Sequence, residues 1–144
     1  MKAKTDVVKV LIADDSEIIR RRLRSLLEGI SRVEIVGEAA DTGETIRAVG
    51  KLRPDAVVLD LGMPGGGGLE VLRQVKRMAG APTVIILTNY AEALYRRSAT
   101  AQGANFFLDK STEFEKVAEI LQTLTAQRQG GRSQQKKQGE SSHE

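Results

Sequence analysis

The chain has 144 residues, a formal charge of +3 and a pI near 9.3, with 40% hydrophobic and 28% charged side chains. It has no cysteine, which excludes disulfides and thiolate metal sites. No apolar run approaches the roughly 20 residues of a membrane helix, and Met1–Asp6 carries no signal-like segment, so a cytoplasmic location is expected. The basic balance does not demand nucleic acid. From residue 126 onward four basic side chains face two acidic ones, which leaves 18 basic and 17 acidic residues in the rest. With 3% aromatics there is little surface on which bases could stack.

Residues 1–6 read as a short extension before the first strand, Val7–Ala13, which ends in the acidic pair Asp14-Asp15. Ser16 is a suitable N-cap for a helix whose apolar stripe is Ile19, Leu23, Leu26, Leu27 and Ile30. Arg20, Arg21, Arg22 and Arg24 lie mostly off that stripe and read as a solvated face. A second strand, Val33–Ala39, precedes a helix marked by Ile46, Val49 and Leu52, capped by Asp41 or Thr42 and stopped before Pro54. The third strand, Ala56–Leu59, is apolar throughout, as for a strand covered on both faces, and it ends in Asp60.

Gly65–Gly68 lacks the Gly-Lys-Ser/Thr ending of a nucleotide-binding loop and reads as a flexible approach to the third helix, marked by Leu69, Leu72, Val75 and Met78. Strand four is Thr83–Leu87. An Ala-rich fourth helix follows, from about Glu92 to Gln102. Strand five, Asn105–Leu108, runs into Asp109-Lys110, and Thr112 with Glu115 has capping-box spacing before a last helix through Leu124. Strict alternation predicts one α/β domain over residues 7–125: a flavodoxin-like, doubly wound (βα)5 fold with a five-stranded parallel sheet in the order 2-1-3-4-5. Residues 126–144, polar and without an apolar anchor, are expected to be a disordered tail in which His143 has no role.

In such a sheet the carboxyl ends of the strands meet along one edge, so Asp14, Asp15, Asp60 and Lys110 should share a crevice. Three carboxylates together need shifted protonation or a cation, and hard oxygen donors with room for water suit Mg²⁺. A lysine can neutralise a phosphate, and a carboxylate can attack phosphorus to give an aspartyl phosphate. The parts suit phosphoryl transfer, in which positioning and charge stabilisation dominate.

At this point the sequence resembles the response-regulator receiver domains (CheY-like) of two-component signalling, over about residues 7–125. Four segments carry the likeness: Leu11–Ser16 with its acidic pair, Leu59–Pro64 with Asp60, Ile86–Asn89 with Thr88, and Gly103–Lys110 with Phe107 and the lysine. They stand in order, with 45 residues from 15 to 60, 28 from 60 to 88 and 22 from 88 to 110.

The resemblance implies that Asp60 accepts a phosphoryl group from the phosphohistidine of a sensor histidine kinase or histidine phosphotransfer protein. It implies Mg²⁺ held by Asp15, Asp60 and the Gly62 backbone carbonyl, with Asp14 acting through water. Thr88 and Lys110 would take the phosphoryl oxygens. Phe107 would fill the space that Thr88 leaves, which repacks the face made by helix four, strand five and helix five for a downstream protein. Receivers commonly dock kinases along the first helix, so partner contact is the alternative to a solvated face for its arginines.

The reading is a non-enzymatic, stand-alone receiver with no DNA-binding domain. A phosphorylation-independent interaction module is the alternative. A phosphohydrolase would place an acid two residues after its nucleophile, where Gly62 stands, and a flavin-binding loop would not offer two aspartates to a phosphate. Ser111 replaces a common proline, Phe107 has no hydroxyl, and Asn89 is larger than usual. Asn89 and Tyr90 are expected to screen the site from water.

Overall fold

The computed structural model describes residues 6–65 and 67–141. Five parallel strands, β1 (Val8–Ala13), β2 (Val33–Ala39), β3 (Ala56–Leu59), β4 (Thr83–Thr88) and β5 (Phe106–Asp109), form one sheet in the order β2-β1-β3-β4-β5. The helices between and after them are α1 (Glu17–Glu28), α2 (Thr42–Leu52), α3 (Gly68–Arg77), α4 (Ala93–Ala101) and α5 (Lys116–Ser141). Each strand lies within one residue of its sequence-predicted bounds at either end.

The apolar strands alternate between two cores. Val8, Val10 and Ile12 of β1 and Val58 of β3 face Leu23 and Leu27 of α1 and Val117 and Leu121 of α5. Leu11, Val57, Leu59 and Ile86 face Val49 of α2 and Val71, Leu72 and Val75 of α3. Burial of each such side chain contributes about 1.5–3 kcal/mol, and both faces of the sheet are covered. Among the described residues no helix is long and apolar enough to cross a membrane.

Helix starts follow local chemistry. Ser16 accepts the Ile19 N–H, and Asp41, rather than Thr42, caps α2 by accepting the Glu44 N–H at 2.8 Å. The approach to α3 needs glycine at two points. Gly65 has φ +105, and a Cβ on Gly68 would stand 2.4 Å from the Leu61 Cα.

Two expectations differ from the structure. The turn before α5 is not closed by Thr112 and Glu115. Instead the Asp109 N–H donates to the Glu113 carboxylate at 2.9 Å, and the Glu113 N–H donates to the Asp109 carbonyl at 2.7 Å. α5 also continues through Ser141 across the span read as a disordered tail. Near the start of that span Arg128 is anchored to the sheet: its guanidinium donates to the Val7 carbonyl at 2.8 Å and pairs with Asp55 at 2.9 Å. Residues 1–5 of the N-terminal extension and 142–144, with His143, lie outside the described residues.

Candidate functional site

Asp14, Asp60 and Lys110 each stand just past the end of a strand, and ladder-like bonds fix their backbones there. The Asp14 N–H donates to Ala39 O at 3.0 Å, the Asp60 N–H to Ala13 O at 3.0 Å and the Lys110 N–H to Thr88 O at 2.9 Å. Parallel pairing therefore converts three distant sequence positions into one cleft of about 320 Å³. Asp14, Asp15, Asp60, Gly62 and Lys110 line it together with Ser16, Ile19, Asn89 and Tyr90.

Lys110 is the hub. Its Nζ lies 2.7 Å from Asp14 Oδ2 and 3.2 Å from Asp60 Oδ2. The opposite oxygens are also held: Asp14 Oδ1 accepts the Ser16 N–H at 2.8 Å, and Asp60 Oδ1 accepts the Gly62 N–H at 3.1 Å. Burial raises the Asp14 pKa above its usual value, although the bonds from Lys110 and the Ser16 N–H pull the other way. Burial also works against the Lys110 charge, but Asp14 and Asp60 outweigh it and hold the ammonium above its ordinary pKa.

One carboxylate oxygen from each of Asp14, Asp15 and Asp60 lies within 4.8 Å of the others. With all groups ionised, three negative charges and one positive leave −2, which one divalent ion balances. Hard oxygen donors of this kind fit Mg²⁺, which takes one or two protein carboxylates and keeps room for water and phosphate oxygens.

Tyr90 borders the cleft with its ring against Gly62, where a Cβ would come within 2.7 Å of the Tyr90 Cε2. Asn89 lines the same cleft. Thr88 and Phe107 are not among the lining residues. Thr88 is fully buried, and its hydroxyl accepts the Tyr90 N–H at 3.1 Å. Phe107 is buried in the core that faces α2 and α3, with the Arg96 guanidinium 4.7 Å from its ring centroid and donating to its carbonyl at 3.1 Å.

Several residues around the site escape sequence reasoning. Asp109 matches no reactive role, yet it accepts both the N–H and the hydroxyl of Ser111, at 2.9 and 2.7 Å. Those bonds first of all lower its pKa, while the Asp109 N–H lowers that of Glu113, and together they shape the loop around Lys110. The Asp-x-Ser spacing is the signal that marks such a turn. The arginines of α1 are also not simply a solvated face. Arg20 and Arg24 both reach Glu38 of β2, and Arg22 lies over Phe114 at 4.1 Å; Arg21 does remain exposed, paired with Glu17.

A doubly wound sheet whose strand ends gather three carboxylates and a lysine defines a class of α/β domain suited to holding a divalent cation beside an anion. A family model for the response regulator receiver domain matches residues 10–122, and the chain belongs to that family. It is 32% identical over 119 residues to the transcriptional regulatory protein LiaR of Bacillus subtilis, covering 83% of this chain and 56% of that protein. It is 38% identical over 122 residues to the transcriptional regulatory protein BtsR of Salmonella typhi, covering 85% and 50%. The chain thus spans about half the length of the curated relatives it matches. Among solved structures, the response regulator domain of Thermotoga maritima CheB superposes with a TM-score of 0.73 at 29% identity, over 85% of this chain and 96% of that one.

Proposed function

We propose that the chain is a phosphoacceptor whose Asp60 takes a phosphoryl group from a phosphohistidine on a sensor histidine kinase or histidine phosphotransfer protein. The observation that carries this reading is Asp60 itself. It is buried at a strand end, with one carboxylate oxygen 3.2 Å from the Lys110 ammonium and two further carboxylates alongside. A carboxylate oxygen of Asp60 attacks phosphorus, the P–N bond breaks with its electron pair passing to the imidazole, and an aspartyl phosphate results.

Asp14, Asp15 and Asp60, with the Gly62 carbonyl, would hold Mg²⁺. Bound there, the metal supplies charge neutralisation for the phosphoryl oxygens. Lys110 is placed to shift its bonds from the carboxylates to the new phosphoryl group. Thr88, its hydroxyl now on the Tyr90 N–H, turns toward that group, and Phe107 repacks in response. The altered face of α4, β5 and α5 then meets a downstream protein in the cytoplasm. Such a switch biases two existing conformations by contacts complete in only one of them. Retention of Asp15, Asp60, Thr88 and Lys110 together weighs against a module that ignores phosphate.

The test is incubation with Mg²⁺ and acetyl phosphate, read by intact mass. One phosphoryl group is expected on the wild type and none on Asp60→Asn or after chelation of the metal. A wild type that remains unlabelled overturns the reading.

A further inference from the structure

Val36 introduces a break in the pairing of β1 with β2: Val10 faces Ile35, but Leu11 faces Gly37. Before this bulge Val33 and Ile35 pack toward α1 and α5. After it Glu38 pairs with Ile12, a residue of that same core, while Ala39 packs in the opposite one. Were Val36 paired in regular register, Glu38 would stand opposite Ala13 and these faces would reverse, because side chains alternate with period two. The bulge therefore turns Glu38 toward α1.

There Glu38 accepts the Arg20 Nε–H at 2.9 Å and also pairs with Arg24. The other arm of Arg20 donates to the main-chain carbonyl of Asp14 at 2.7 Å. Both main-chain polar groups of Asp14 are thus tied, its N–H to Ala39 and its carbonyl to Arg20. The carbonyl belongs to the peptide plane that leads into Asp15. Asp15 is exposed, and among the described residues no hydrogen bond holds its carboxylate. Its aim toward Asp14 and Asp60 consequently rests on its backbone.

We propose that Arg20, held by Glu38, is a positioning residue for divalent-cation binding: it locks the Asp14–Asp15 peptide so that Asp15 presents its carboxylate before the ion arrives. This rests on the reading that the three carboxylates take a divalent ion. The charge of Arg20 alone predicts the opposite sign. A cation beside a cation site repels the metal, so its removal should tighten binding unless positioning matters more.

The experiment is calorimetric titration of Mg²⁺ into the wild type, R20Q, R20K, E38Q and the R20Q/E38Q double variant, with a thermal melt of each. R20Q should raise the Mg²⁺ Kd about tenfold, the low end for loss of a group that orients a metal ligand. E38Q should raise it less. R20K should fall between wild type and R20Q, because an ammonium lacks the fork that serves two acceptors. The double variant should be no weaker than R20Q, since both changes break one relay.

Unchanged or tighter binding in R20Q overturns the proposal. If R20Q melts too early to titrate, E38Q decides it by the same criterion. A wild type that gives no Mg²⁺ binding overturns the metal reading as well, an outcome distinct from wild-type binding that the variants leave intact.

Discussion

Two helices border the reactive edge of the sheet, and they are held very differently. α1 begins on the Ser16 cap, buries Leu23 and Leu27 completely and sends Arg20 and Arg24 across to β2. α4 begins at Glu92 without a side-chain cap, buries only Ala99 among its residues, and leaves Leu94 66% exposed. Its visible polar tie to the sheet is Arg96 on Phe107. The acidic pair stands on the firm side, and Thr88 leads into the loose one. Groups that bind charge are kept fixed, while the element beside Phe107 is drawn from the less stable part of the fold, as moving elements generally are.

The largest effect that tests this contrast is on packing. Leu27→Ala should cost about 2–5 kcal/mol in chemical denaturation, whereas Leu94→Ala should stay within about 0.5 kcal/mol. Similar losses from both would erase the distinction.

Lys110→Met probes the centre of the edge and should cost about 1–2 kcal/mol at pH 8, less than a fully buried pair because the cleft admits water. The folded-state pKa of Lys110 is raised, so its contribution is complete below the ordinary lysine value of 10.5 and disappears as pH rises through the higher folded value. The gap between wild type and variant, measured by denaturation across alkaline pH, should therefore close above that point. Caps come next: Ser16→Ala should lose about 1 kcal/mol, and Glu92→Ala almost nothing. Smallest in global terms, Arg96→Ala should change stability by less than about 0.5 kcal/mol. It should nevertheless speed amide exchange in α4 and leave α1 unaltered.

The sequence disclosed whatever is written in periodicity and strand-end position. Asp14, Asp60 and Lys110 could be brought together from residues alone, because parallel topology forces strand ends onto one edge. Arg20 could not be given its partner, since the bulge at Val36 reverses the facing of Glu38 and leaves no mark in composition. Asp109 matches no reactive motif, although its bonds to Ser111 and Glu113 shape the loop that carries Lys110. The anchoring of Arg128 likewise involves a distant group, Asp55, which no local pattern around Arg128 reveals.

Asp55 has a mechanical meaning too. It exchanges bonds with Lys9 of β1, its carbonyl accepts the Thr83 N–H of β4, and its carboxylate pairs with Arg128 of α5. Arg128 in turn grips the Val7 carbonyl. Tension along the far part of α5 would enter the fold through this knot, at the amino ends of β1, β3 and β4. The load would pass into strand starts, a full strand length from Asp14 and Asp60. A pull on that helix should therefore strain the anchored end of the sheet and leave the geometry of the acidic cleft undisturbed.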